Sequence, residues 1–145
     1  MPPRNSRGWY FPNVEKTKYI TDRDWRWPNF EMSEFACRHC GEGYFWPEFF
    51  DRIQAMRSDI GKPIRILSGH RCSLHNARVG GAPFSQHLTM AADISALNHE
   101  RGELLRACQR AGFKGFGFYH TFLHIDLGPP RHWWSDQKAR ELWKI

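Results

Sequence analysis

The chain has 145 residues, of which 41% are hydrophobic and 15% aromatic, so one domain with an aromatic-rich core is expected. No apolar run is long enough to cross a bilayer, and MPPRNSRGWYFPN at the start lacks the apolar stretch of a secretory signal; a soluble protein made in the cytoplasm, with no membrane insertion, is expected. A formal charge of +6 favours anionic partners such as nucleic acid, a membrane surface or acidic wall polymers, but the basic residues are scattered and form no nucleic-acid-binding motif, so no nucleic-acid partner is expected.

In chain order, residues 1–29 mix prolines with Trp9, Tyr10, Phe11, Trp25 and Trp27 without a sustained period, which reads as an arm packed on a single domain of residues 30–145. Its tryptophans are alternatively a sugar-stacking surface. From Pro47 to Ile60, Phe49 or Phe50, Ile53, Met56 and Ile60 recur at helical spacing between an initial proline and Gly61, the strongest helix pattern in the chain. A short strand follows in KPIRILSGHR, where Ile64 and Ile66 flank Arg65. Residues 72–86 hold Gly80, Gly81 and Pro83 and read as a shaped loop leading to a strand over Ala91 to Ser95. Asn98 is placed to cap a helix from about His99 to Ala111, with Leu104, Leu105, Cys108 and Ala111 inward and Gly112 closing it. GFKGFGFYHTFLHIDLG then reads as a hairpin, and RHWWSDQKARELWKI as a terminal helix docked by tryptophans. No internal repeat is present. Helices segregated from a small, mainly antiparallel sheet define an α+β fold.

Cys37, Cys40, Cys72 and Cys108 are too uneven for a disulfide framework, so thiols are the expectation. Cys37 and Cys40 form a CxxC, but a structural zinc site calls for a second pair at similar spacing, and only the single Cys72 and Cys108 remain. Cys108 falls on the apolar side of its helix and reads as a buried thiol.

Two segments carry the chemistry. SQHLTMAADIS holds His87 and Asp93; FLHIDLG holds His124 and Asp126. In the second, Leu123, Ile125 and Leu127 alternate with Phe122, His124 and Asp126, the period of a strand with one apolar face, which puts His124 and Asp126 together on the other. Two imidazoles and a carboxylate can fill three corners of a tetrahedron around zinc and leave the fourth for a water. By residue chemistry alone, hydrogen-bonded polar pairs without a metal are the competing reading.

SGHRCSLHNARVGGAPFSQHLTMAADI resembles the SGYRS..HN..VGGA..SQH..G.AADI signature of the zinc D-alanyl-D-alanine carboxypeptidase-like peptidases, a peptidoglycan-cleaving family that includes many phage endolysins, and GFGFYHTFLHIDLG is similar to its second element. The resemblance runs from about Phe30 to Trp134, with both elements in the family's order. It implies a Hedgehog/DD-peptidase-like fold, Zn2+ as cofactor, His87, Asp93 and His124 as its ligands, and Arg71 with Ser85 and Gln86 as the substrate-binding group. Arginine's planar fork suits the carboxylates of acidic stem peptides; otherwise Arg71 is a surface ion pair. The interval from His87 to Asp93 is six, where the family pattern has seven, and Met90 stands near the position of the family's glycine. Relatives place an acid or a histidine shortly before the last ligand, where this chain has Thr121 and Phe122, so the catalytic proton carrier is open between Asp126, as base or as partner of a ligand histidine, and His120, as a helper in the hairpin turn.

The resemblance thus implies metal-assisted hydrolysis of a stem-peptide or cross-bridge amide by a monomer whose partner is bacterial peptidoglycan. A wall-binding or virion structural module of the same fold, inactive through the shortened His87 to Asp93 turn, is the alternative. Accumulation in a host cytoplasm before lysis, or carriage in a virion, are the matching locations. GxSxG is absent and no cysteine sits in a nucleophile motif, which excludes the common serine and cysteine hydrolase signatures.

Overall fold

The computed structural model describes residues 8–11, 25–81, 85–88 and 90–144. Strands β1 (Trp9–Phe11) and β2 (Gly43–Phe45) pair as a small antiparallel ribbon. Helix α1 (Pro47–Ile60) leads to β3 (Ile66–Ser68), the short helix α2 (Ser73–Arg78) and β4 (Ala92–Ser95). Helix α3 (Arg101–Arg110), strands β5 (Gly115–Phe118), β6 (Phe122–Asp126) and β7 (Arg131–Trp134), and helix α4 (Gln137–Trp143) complete the chain, with 3-10 turns at Met32–Phe35 and Gln86–Leu88. The main sheet runs β3-β4-β6-β5-β7 and is antiparallel except where β7 lies parallel to β5, giving the expected α+β architecture. Among the described residues, no helix is long and apolar enough to cross a membrane.

Helix α1 forms where its periodicity predicts. Pro47 occupies the first turn, where its missing N–H costs nothing, and Gly61 ends the helix in the left-handed region at φ 69° while donating to the Arg57 carbonyl. Phe49, Phe50, Ile53 and Met56 are fully buried in one core cluster with the aromatic residues Trp27, Phe30 and Phe35. Of the arm expected over residues 1–29, the described part comprises residues 8–11, of which Trp9–Phe11 pair with β2, and residues 25–29, where Trp27 is buried and its indole N–H donates to Asp51 Oδ1 at 2.8 Å.

Three local expectations are corrected. Helix α3 is capped by Glu100, whose carboxylate accepts from the N–H groups of Gly102 and Glu103, and Asn98 instead takes a left-handed turn at φ 67°. An acid at that place meets the helix dipole as well as the free amides, so it displaces the asparagine as cap. The stretch 72–86 is not all loop: α2 lies within it, too short and too polar to show a period. RHWW is not part of the terminal helix but forms β7, half-buried at Arg131 and Trp133 and exposed at His132 and Trp134. Helix α4 begins only after Asp136, whose side chain accepts from Ala139 N at 2.8 Å.

Candidate metal centre

Three elements deliver the central residues. β4 and β6 pair so that Asp93 stands directly across from His124, and the turn Gln86–Leu88 sets His87 over the same end of the sheet. His87 Nε2 lies 3.2 Å from Asp93 Oδ1 and 3.1 Å from His124 Nδ1, and His124 Nδ1 lies 3.1 Å from Asp93 Oδ1. One donor atom from each of the three falls within 4.8 Å of the others, so the His87 to Asp93 interval of six leaves the carboxylate in reach of both histidines. The cross-strand register, rather than the length of the preceding turn, fixes Asp93.

The remaining ring nitrogens are held from behind. His87 Nδ1 lies 2.6 Å from the Gly69 carbonyl, which can only accept, so the proton sits on Nδ1 and the Nε2 lone pair faces the centre. His124 Nε2 lies 2.6 Å from Asp126 Oδ2, which turns the Nδ1 lone pair to the same point. Two lone pairs and a carboxylate oxygen facing one another at these distances repel unless a proton or a cation lies among them, and the donor set, two imidazoles and one carboxylate, matches zinc. Burial works to raise the Asp93 carboxyl, but its bonds to His124 and His87 outweigh that and hold it below its ordinary range. His124 shows the counterpart: burial pushes it down, and Asp126 and Asp93 together raise it.

Asp126 is fully buried and saturated. Besides His124 it accepts from Arg131 at 2.8 Å and 2.7 Å through its two oxygens, and from Gly128 N at 2.9 Å. Burial raises its carboxyl, yet the bonds from His124 and Arg131 win and keep it ionised well below the usual carboxylate range. Both oxygens being committed, Asp126 is placed as the partner that orients His124.

A cleft of about 610 Å³ opens over the triad, lined among others by Arg71, Ser85, Gln86, Tyr119 and Trp133. Arg71 donates to Ser85 Oγ at 3.3 Å, and Ser85 Oγ also accepts from His87 N at 3.1 Å, so the arginine and the ligand turn are tied together. The Arg71 Nε is buried without a hydrogen-bond partner among the described residues. His120, by contrast, is not brought to the centre: it is exposed, and its Nε2 lies 2.8 Å from Asp136 Oδ1.

Three site residues escaped the sequence reading. Arg131 grips Asp126, Trp133 sets its ring 5.0 Å from that of His124, and Tyr119 accepts from Trp133 Nε1 at 3.2 Å while stacking on Phe122 at 4.4 Å. Their signal lay in the glycines of GFGF. A Cβ on Gly115 would collide with Asp126 Oδ1 and Arg131, and one on Gly117 would meet the Trp133 ring at 2.6 Å and His124 Cβ at 3.0 Å. Alternating glycines on a central strand thus mark where bulky side chains of both neighbouring strands pass over it.

A His2Asp cluster with both imidazoles oriented from behind, at the end of a small sheet and under an arginine-bearing cleft, is a donor set that could hold a single metal ion. The Peptidase M15 family model matches residues 28–126, and the chain belongs to that family. It is similar to proteins named peptidoglycan L,D-endopeptidase MepK from Escherichia coli (strain K12), Escherichia coli O157:H7 and Shigella flexneri, each 30% identical over 99 residues, covering 60% of this chain and 53% of the relative. The chain spans about half the length of the curated relatives it matches.

Proposed function

We propose that the protein is a zinc-dependent peptidoglycan peptidase that hydrolyses an amide of the stem peptide or cross-bridge, with His87, Asp93 and His124 holding the metal. The observation that carries this reading is the convergence of three acceptor atoms, two of them on imidazoles whose tautomers are set from behind, in a chain of the M15 family. Bound zinc would polarise a scissile carbonyl and lower the pKa of a coordinated water to about 7.

The chain's own residues supply the rest. Arg71, on the cleft wall, receives a substrate carboxylate, and Ser85 holds the guanidinium in place. Trp133 and Phe122 give the peptide an apolar wall that excludes water. The Tyr119 oxygen accepts from Trp133, which leaves its own O–H to donate to a substrate oxygen as charge develops there. Asp126 and the Gly69 carbonyl keep both imidazoles in the tautomer that binds metal. The relatives' name favours an endopeptidase cut over removal of a terminal residue, and action on the wall from within a lysing host, as by phage-type lysins, fits the basic charge.

Digestion of purified sacculi followed by mass spectrometry of the released muropeptides tests the assignment and names the bond. Chelator-sensitive release of peptide fragments is expected. An intact wall bound by zinc-loaded protein but never cut would replace the enzyme with a wall-binding module.

A further inference from the structure

A second cluster lies apart from this centre. Cys37, Cys40 and Cys72, far apart in sequence, bring their sulfurs within 4.8 Å of one another. Cys72 is the thiol the CxxC lacked, supplied by the loop after β3. An imidazole stands at the edge of the cluster: His39 Nδ1 lies 3.6 Å from Cys72 Sγ.

The backbone is shaped around the sulfurs. Gly41 takes a left-handed conformation at φ 78° just after the CxxC, letting its N–H return to the Cys37 carbonyl at 2.9 Å, while Cys37 N donates to Glu42 O at 2.7 Å. Amide N–H groups converge on the Cys37 sulfur, from Cys72 at 3.4 Å and from His39 and Cys40 within the turn. Amides directed at a sulfur stabilise it as a thiolate, the form that binds metal.

We propose that Cys37, Cys40 and Cys72 hold a structural zinc ion separate from the His87, Asp93 and His124 cluster, with the neighbouring His39 drawn in as fourth donor. Sulfurs of a tetrahedral site with Zn–S bonds of about 2.3 Å lie about 3.8 Å apart, so the observed triangle closes on a metal with a shift of about 1 Å or less. A disulfide would draw two sulfurs to about 2.05 Å and leave the third without a role. Ligation through His39 Nδ1 puts that ring's proton on Nε2, and the Arg78 guanidinium, now 3.1 Å from Nε2, turns towards the thiolates, whose net negative charge it offsets. Four protein donors leave no open corner, which makes the ion structural.

Its purpose follows from what it joins. The segment 35–42 and the segment 69–72 are already stitched by His70 N donating to Phe35 O at 2.9 Å and by His70 Nε2 lying 2.6 Å from Glu42 Oε1. The second segment carries the Gly69 carbonyl that orients His87 and the Arg71 N–H that donates to His87 O at 2.7 Å. A metal at Cys72 therefore clamps the strip of backbone against which the other centre is built.

Metal analysis and cobalt spectroscopy on the full chain, purified under reducing conditions, test this. The native protein should carry about two zinc ions per chain, and the double variant His87→Ala/His124→Ala about one. Cobalt bound to that double variant should show the intense near-ultraviolet sulfur-to-cobalt charge-transfer band of tetrahedral thiolate ligation, and Cys40→Ser, at an exposed position, should weaken or abolish it. A native cobalt-loaded protein without that band, a double variant free of metal, or an intact mass lighter by the two hydrogens of a disulfide would each overturn the proposal. The band reports the thiolates whatever happens to peptidoglycan, so failure of the peptidase reading leaves it standing and failure of the thiolate site leaves the peptidase reading untouched.

Discussion

Replacing Asp126 by asparagine isolates the part of the site that sets a proton's position rather than binding metal. The carboxylate accepts four bonds, from His124, twice from Arg131 and from Gly128, and every neighbour is a donor. An amide offers one oxygen and one NH2, so the NH2 must now face one arm of Arg131 together with either the His124 Nε2–H or the Gly128 N–H. Where the NH2 faces His124, the relief available is for His124 to move its proton to Nδ1, which aims an N–H at the point where a metal would sit. Loss of such a partner costs about 10–100-fold in metal affinity, or roughly 1.4–2.8 kcal/mol. The folded state pays separately: breaking a buried ion pair costs about 3–5 kcal/mol, and because Arg131 remains 35% exposed, water returns part of that, leaving about 2–3 kcal/mol. Zinc competition against a chromophoric chelator and urea unfolding of the metal-free protein read the two effects apart, with the visible cobalt bands that lack thiolate charge transfer reporting this centre alone. Zinc affinity at this centre within about two-fold of the native protein would refute the argument that Asp126 fixes the tautomer.

Gly117→Ala places a methyl group 2.6 Å from the Trp133 ring and should cost about 1–3 kcal/mol in unfolding free energy, measured by denaturant titration. Phe49→Ala, at a fully buried position in α1, should lower stability by about 3–5 kcal/mol in the same assay, with the zinc content of the folded fraction unchanged. In muropeptide hydrolysis, Arg71→Lys keeps the charge but loses the fork, so KM should rise several-fold with kcat nearly constant; a fall in kcat alone would move Arg71 from substrate binding to the chemical step. His120→Ala should leave hydrolysis within about two-fold of native, since its ring pairs with Asp136 outside the cleft, and a large loss of kcat would show that the hairpin turn closes over the substrate.

Periodic segments were legible in the sequence because burial imposes the period. The α1 pattern, the β5–β6 hairpin and the shared face of His124 and Asp126 all follow from apolar residues recurring at helix or strand spacing. What stayed hidden depends on which strands become neighbours. RHWW has no period long enough to separate strand from helix, and only its place beside β5 makes it β7 and brings Arg131 to Asp126. His120 looked eligible through its chemistry and its nearness in sequence to His124, yet the turn carries it to Asp136 instead. The third thiol of the cysteine cluster was hidden for the same reason, since nothing local in CRHCGEGYF announces Cys72.

Asp93 and His124 face one another across two hydrogen-bonded strands, whereas His87 rides on a three-residue turn outside the sheet. The first pair can separate only if the ladder opens, a cooperative event as costly as losing much of the core. If the cluster holds an ion, exchange would go through His87: its turn would lift from the Gly69 carbonyl and withdraw one donor while Asp93 and His124 stay in register. The rate at which that turn lifts would then set the tempo of metal turnover, with the strip of backbone around Gly69 as its brake.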